Sequence, residues 1–205
     1  MLNKVFIVDD NAAIRTLLSK ILSSVDLETE CFTDGDQFLT QYTGESGVAL
    51  LDLRMPKMSG RQVQQHLLSK GYTLPIIFIS GHGDIDQAVE ALKAGAQDFI
   101  TKPFKNQDVI DAVNTGLKAE QSANIIAKQK MKATDNFNQL TPREKQILDL
   151  IANAHKTKEI AEITNTSPNT VEVHRAQIMK KMQVKSLAQL VSTVVKNDLV
   201  DIKVL

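Results

Sequence analysis

The sequence holds a single cysteine, Cys31, among 205 residues. An internal disulfide framework is therefore excluded, a reducing compartment suits the chain, and Cys31 is expected to pack as a small apolar side chain. Long hydrophobic runs are missing as well. No segment approaches the roughly 18 consecutive apolar residues that a membrane span requires, and "MLNKVFIVDD" offers only a short apolar run closed by two carboxylates. A cytoplasmic protein with no membrane-spanning segment is the expectation. Low-complexity sequence is nearly absent, and 42% hydrophobic content over this length suffices for two modest cores.

Net charge is zero at pH 7, yet the two halves do not share it evenly. Residues 1–121 hold 11 Lys and Arg against 16 Asp and Glu, net −5, whereas residues 122–205 hold 13 against 8, net +5. Opposite charges could serve only to dock one half on the other. A compact basic module is also what a nucleic-acid partner selects.

What the first half does contain is an alternation of apolar runs with helical periods. "KVFIV" (4–8), "LETECF" (27–32), "VALLD" (48–52), "PIIFIS" (75–80) and "DFIT" (98–101) read as strands, three of them continuously apolar, as in a parallel sheet covered on both faces. Between the first two, Ile14, Leu17, Leu18, Ile21, Leu22 and Val25 recur at helical spacing behind Asn11, an N-cap. Five such repeats predict an α/β fold, a (βα)5 doubly wound parallel sheet with its ligand site at the carboxyl ends of the strands. The last helix begins near Lys105 and runs on through a polar, Ala- and Lys-rich stretch until "TDNFNQ" (134–139) frays it. Domain bounds of 1–121, a largely helical linker over 122–138, and 139–205 follow.

The chemistry-bearing residues gather at those strand ends. Asp9 and Asp10 end the first strand, Asp52 the third, Ser80 the fourth, and Lys102 the fifth. Neighbouring strand ends lie about 5 Å apart, so three carboxylates, a hydroxyl and an ammonium converge. Three unshielded carboxylates repel one another, and a hard divalent cation with oxygen ligands relieves them, Mg²⁺ being the natural candidate. A lone Asp52 could simply cap the turn that contains Pro56 and Gly60. Its company argues for a reactive carboxylate exposed at a strand end.

"VDD", "LLDLRMPKMSG", "FISGHGD" and "DFITKPF" stand in the order and register of the receiver domain of two-component response regulators, which residues 1 to about 121 resemble. The resemblance implies a flavodoxin-like strand order of 2-1-3-4-5. It also implies that Asp52 accepts a phosphoryl group from a partner histidine kinase. Asp10, Asp52 and the backbone carbonyl of Arg54 would bind Mg²⁺, Asp9 acting largely through bound water, and Lys102 would hold a phosphoryl oxygen. Ser80 and Phe99 resemble the family's switch pair. A Mg²⁺-dependent aspartyl phosphatase of the haloacid dehalogenase kind is the competing class. That family wants a second Asp two residues after the first, where this chain has Arg54.

In the second half, Thr141 with Glu144 forms a capping-box pattern and Pro142 takes the first helical position. "KTKEIAEITNTSPNTVEVHRAQIMKKM" (156–182) reads as helix, turn, helix, with Ser167 the N-cap and Pro168 at the first position of the second helix. At 100° per residue Val171, His174, Ile178 and Met182 face the core. Asn169, Glu172, Val173, Ala176 and Lys180, with Thr170 beside them, face a major groove. Lys156, Thr157, Lys158 and Arg175 flank that set as phosphate contacts.

"LTPRE", "KEIA", "SPNTVEVHR" and "MQVKSLAQLV" resemble, in order, the LuxR-type four-helix DNA-binding domain, and the whole chain is similar to the FixJ branch of the NarL/FixJ regulators. The partners implied are a sensor histidine kinase, double-stranded DNA, RNA polymerase and, on phosphorylation, a second copy of the chain; no turnover reaction is implied. Leu187, Leu190, Val191 and Val194 on the fourth helix either close the core or dimerise. Two departures stand out. Ala154 occupies a turn position where the family commonly has Gly, which predicts a longer or differently shaped turn. Glu172 replaces a common Lys, which predicts one donor fewer and a shifted sequence preference.

Overall fold

The structure, a computed structural model, describes residues 4–81 and 85–202. The chain forms two compact units, Met1–Asn124 and Ile125–Leu205. In the first, strands β1 (Lys4–Val8), β2 (Glu28–Phe32), β3 (Val48–Asp52), β4 (Ile76–Ser80) and β5 (Asp98–Thr101) form one parallel sheet in the order β2-β1-β3-β4-β5. Every strand is followed by a helix: α1 (Ala12–Ser23), α2 (Gly35–Gln41), α3 (Gly60–Ser69), α4 (Ile85–Lys93) and α5 (Asn106–Asn138).

Strand side chains alternate between the two faces, and the sheet has a core on each. On one side Val5, Ile7, Val48, Leu50, Ile77 and Ile79 pack with Leu18 and Leu22 of α1 and Val109, Val113 and Leu117 of α5. On the other, Phe6, Val8, Ala49, Leu51 and Phe78 meet Phe38 of α2, Val63 and Leu67 of α3 and Ala91 of α4. Burial of both faces is why β3 and β4 are apolar without alternation. The α1 stripe is narrower than its spacing predicts: Leu18, Ile21 and Leu22 are buried, but Leu17 and Val25 lie outside the core, 44% and 40% exposed. Asn11 caps this helix by accepting from the Ala13 and Ile14 N–H groups.

The second unit is helical: the end of α5, then α6 (Pro142–Ala152), α7 (Thr157–Ile163), α8 (Pro168–Lys181) and α9 (Leu187–Lys196) around one core. Here a sequence expectation fails. "TDNFNQ" does not fray α5, which stays helical to Asn138 because that stretch is packed. Ala133 and Asn136 are buried, Asn136 Nδ2 donates to the Met182 carbonyl at 3.4 Å, and Phe137 joins the core with Lys145 Nζ 4.6 Å above its ring. Tertiary burial overrides a locally weak helix sequence.

The capping box at Thr141 and Glu144 forms, and Pro142 opens α6. In the turn after α6, Ala154 stands where the resemblance leads a glycine to be expected. Its backbone keeps the left-handed conformation, φ 62°, that a glycine would adopt freely, with the Ala154 N–H on Ile151 O and the His155 N–H on Leu150 O. Among the described residues, no helix is long and apolar enough to cross a membrane.

Candidate functional site

The register of the sheet brings the predicted strand-end residues together. Val8 lies beside Leu51, Asp52 beside Ile79, and Ser80 beside Thr101, so the residues just past β1, β3 and β5 share one rim. One carboxylate oxygen from each of Asp9, Asp10 and Asp52 lies within 4.8 Å of the others. Asp9 and Asp52 are buried at 1% and 7% exposure, while Asp10 is exposed. Such an all-oxygen set, close enough to share one small ion, could hold a metal.

Lys102 crosses the sheet to reach two of these acids. Its Nζ donates to Asp9 Oδ2 at 2.8 Å and to Asp52 Oδ2 at 3.0 Å. One ammonium cannot neutralise two buried carboxylates, and the titration behaviour follows from that. Burial pushes the Asp52 carboxyl above its ordinary value despite the ammonium. Burial alone would lower Lys102, but its two carboxylate partners outweigh it and hold the ammonium above the usual range. The site therefore carries a buried surplus of negative charge, to which the exposed Asp10 adds, and a cation held there would relieve it.

The backbone around the pocket is tightly determined. Asp9 Oδ1 accepts the Asn11 N–H at 2.7 Å, and the Asp9 carbonyl accepts Arg15 Nη1 at 2.7 Å, so α1 anchors the loop after β1. After β3, the Arg54 N–H donates to Asp52 Oδ1 at 3.2 Å, and Arg54 itself is exposed. Met58 N donates to Pro56 O at 2.8 Å across Lys57, whose φ is 69°, a γ-turn. Ser59 then caps α3 in a capping box with Gln62. Gly60 is required there: a Cβ would stand 2.4 Å from the Asp52 carbonyl oxygen.

Ser80 is fully buried at the end of β4. Phe99 lies beside Phe78 in the register and packs, half-buried, on the second core cluster. The Lys102–Pro103 peptide is cis. Within "FISGHGD", residues 82–84 lie outside the described residues, and His82 with them.

In the second unit, α7 and α8 are joined by a short turn with Asn165 at φ 50°. Ser167 caps α8 through the Thr170 N–H at 3.1 Å, and the Thr170 hydroxyl lies 2.8 Å from Ser167 Oγ. Val171, Ile178 and Met182 are buried, while His174 is half-buried. Asn169, Thr170, Glu172, Val173, Ala176 and Lys180 are exposed, as are Lys156 and Lys158 at the start of α7. Arg175 and Thr157 are different. Arg175 Nη1 donates to Thr157 Oγ1 at 2.9 Å and to Glu172 Oε1 at 2.8 Å, and the Thr157 hydroxyl donates to the same Glu172 oxygen at 2.9 Å. Glu172 is thus more than a missing donor, for it engages a neighbouring cation. On α9, Leu190 and Val194 are buried, whereas Leu187 is 37% exposed.

Residues 5–114 match the response regulator receiver domain, and residues 138–194 match the luxR family of bacterial regulatory proteins. The chain is a two-component response regulator of the receiver plus LuxR-type class. Similar proteins include the response regulator protein TodT of Pseudomonas putida, 40% identical over 91% of this chain and 83% of that protein. The transcriptional regulatory protein FixJ of Bradyrhizobium diazoefficiens is 35% identical over 91% of this chain and 92% of its own. Among solved structures, the response regulator StyR aligns with TM-score 0.85 at 38% identity, covering 96% of this chain and all of that one. Full-length FixJ from B. japonicum aligns with TM-score 0.60 at 32% identity, covering 97% and 98%.

This response regulator therefore joins a receiver domain and a LuxR-type helix-turn-helix domain in one chain, and sequence reasoning singled out the strand-end acids and lysine that come together. It missed the Arg15 contact to the Asp9 carbonyl and the Thr157–Glu172–Arg175 cycle. The first has no signal in spacing. For the second, Glu172 and Arg175 stand three apart on one helix, a spacing that pairs charges, but Thr157 is brought in only by the packing of α7 on α8.

Proposed function

We propose that Asp52 accepts a phosphoryl group from a sensor histidine kinase and that this modification controls sequence-specific DNA binding and transcription. The convergence of Asp9, Asp10, Asp52 and Lys102 on one rim carries the reading. An Asp52 oxygen is the nucleophile, and no general base is needed, because phosphoryl transfer depends on positioning and charge neutralisation. Mg²⁺ would be held by Asp10, Asp52 and the Arg54 carbonyl, with Asp9 acting through water, and when bound it neutralises charge on the transferring oxygens. Lys102 passes from its Asp52 oxygen to a phosphoryl oxygen. Ser80 donates to another, and its movement opens space for the Phe99 ring to turn inward.

The receiver spans 1–121, a helical connection 122–138, and the DNA-binding domain 139–205. Asn169, Thr170, Glu172, Val173, Ala176 and Lys180 face the major groove, and Lys156, Thr157, Lys158 and Arg175 lie beside phosphates. Phosphorylation favours a dimer through α4 and β5. Two recognition helices then meet two half-sites, and the intramolecular second contact raises avidity by about 10²–10⁴. RNA polymerase is the partner that reads the bound dimer, and the cytoplasm is where kinase and DNA are met. The chain is no turnover enzyme: it takes one phosphoryl group and loses it by hydrolysis.

Labelling with acetyl phosphate and Mg²⁺ tests the central step. Wild type should acquire a hydroxylamine-labile phosphate, and Asp52→Asn should fold normally without acquiring it. Equal labelling of both would overturn the assignment. Sedimentation with and without phosphodonor tests the dimer, and a phosphorylated protein that stays monomeric while gaining DNA affinity removes that route.

A further inference from the structure

Thr157, at the start of α7, and Glu172 and Arg175, one turn apart on α8, form a closed cycle of three hydrogen bonds of 2.8–2.9 Å. An exposed Glu–Arg pair alone holds its geometry weakly. Here one hydroxyl donates to the carboxylate and accepts from the guanidinium, so the pair is tied to a second helix. The Arg175 side chain is 23% exposed and that of Glu172 55%. The cation is drawn against the protein, while the anion is presented beside the exposed Asn169, Val173 and Ala176. The hydrogen bond from Thr157 and the pairing with Arg175 hold the Glu172 carboxyl below its usual range, so it is ionised at neutral pH.

A carboxylate on a face that meets a polyanion needs a reason. Resting on the DNA-binding reading, we infer that Glu172 is a specificity-determining residue acting through Arg175. It occupies the guanidinium that would otherwise take a DNA phosphate and so holds down sequence-independent binding. Phosphate contacts carry affinity without sequence information, so masking one of them lowers affinity for every sequence alike. A base edge that satisfies Glu172, such as the amino group of cytosine, frees Arg175 for the backbone. Sites offering that donor gain two contacts, and the rest gain neither.

The test is equilibrium binding of the full chain, treated with acetyl phosphate and Mg²⁺, to a random-sequence duplex across a salt series. Glu172→Gln keeps an acceptor for Thr157 and Arg175 but removes the charge. One more phosphate contact steepens the slope of log K against log salt by about 0.9, which is about an eightfold gain in affinity at 0.1 M salt. The same substitution made in an Arg175→Met background should bring no gain. Direct repulsion between Glu172 and DNA predicts instead that the gain persists without Arg175, and that result overturns the inference, as does an unchanged slope in Glu172→Gln. If the wild-type chain binds no duplex even at low salt, the DNA-binding reading itself fails and takes this inference with it.

Discussion

Replacing Lys102 by Met keeps the aliphatic stem and deletes the ammonium that bridges Asp9 and Asp52. Those side chains are 2% and 9% exposed, and Lys102 is 22% exposed, so the bridge sits largely out of water. Removing one partner of a buried ion pair costs about 3–5 kcal/mol. Two features place this case near the bottom of that range: the Lys102 end reaches solvent, and Asp52, already pushed up by burial, can take up a proton. Protonating a carboxyl of ordinary pKa 3.8 at pH 7 costs about 4 kcal/mol, which caps the penalty per acid. A loss of about 3 kcal/mol lowers the midpoint of a unit this size by about 12 °C. Differential scanning calorimetry of the full chain without metal should show it in the first unit's transition alone. The loss should shrink as Mg²⁺ is added and shrink again in Lys102→Met/Asp52→Asn. It is largest at neutral pH and falls away on acidification as Asp52, whose carboxyl burial already pushes up, takes a proton. A midpoint within 2 °C, on the order of 0.5 kcal/mol, of wild type in metal-free buffer would refute the claim that Lys102 neutralises a buried surplus of negative charge.

Three further outcomes follow from local geometry. Gly60→Ala should cost about 2–3 kcal/mol and slow acetyl-phosphate labelling, since its Cβ would meet the Asp52 carbonyl oxygen at 2.4 Å; normal labelling with an unchanged midpoint would show that the turn yields easily. Ala154→Gly should raise the midpoint of the second unit by about 3–6 °C, by relieving a left-handed alanine worth about 1 kcal/mol. Glu144 accepts from Lys181 Nζ at 2.6 Å and from the Thr141 N–H at 2.7 Å, and although burial opposes them, these bonds hold its carboxyl below the ordinary 4.5. A depressed folded-state pKa gives stability that is present above the unfolded value and lost as pH falls through the folded one. The second unit should therefore weaken as pH drops from about 4.5, and Glu144→Gln, weaker by about 1.5 kcal/mol at pH 7, should lose that pH dependence; a variant with the wild-type acid profile would contradict the assignment.

The sheet was legible because burial on two faces leaves a composition that one-sided burial does not: β3 and β4 are unbroken apolar runs, and each ends on the polar residue that reaches the rim. The pocket followed from topology, since parallel strands with short crossovers present their carboxyl ends together. Helix caps were equally local. Asn11, Thr141 and Ser167 hydrogen-bond within a few residues of themselves, and their partners stand in the same short stretch of sequence. The features missed or misjudged depend on how elements pack rather than on residue spacing, whether the partner is near or far along the chain. "TDNFNQ" is helical because Asn136 meets Met182, 46 residues on. Arg15 finds a carbonyl only once α1 lies beside the loop after β1.

Ala154 shows the same division from the other side. An alanine where the resembling family commonly has glycine predicts a longer or differently shaped turn, because alanine is strained in the left-handed region. The turn closes with Ala154 in the left-handed region because the helices on either side, packed in one core, determine where the chain must reverse. A local cost of about 1 kcal/mol cannot move two helices whose buried side chains each contribute about 1.5–3 kcal/mol. The backbone therefore retains the conformation that glycine prefers, and the strain persists in the fold. Glu172 likewise has its charge offset within the protein by Arg175, while Thr157 donates to the same carboxylate oxygen. On the DNA-binding reading proposed above, the cost of a carboxylate on that face appears only when DNA competes for Arg175.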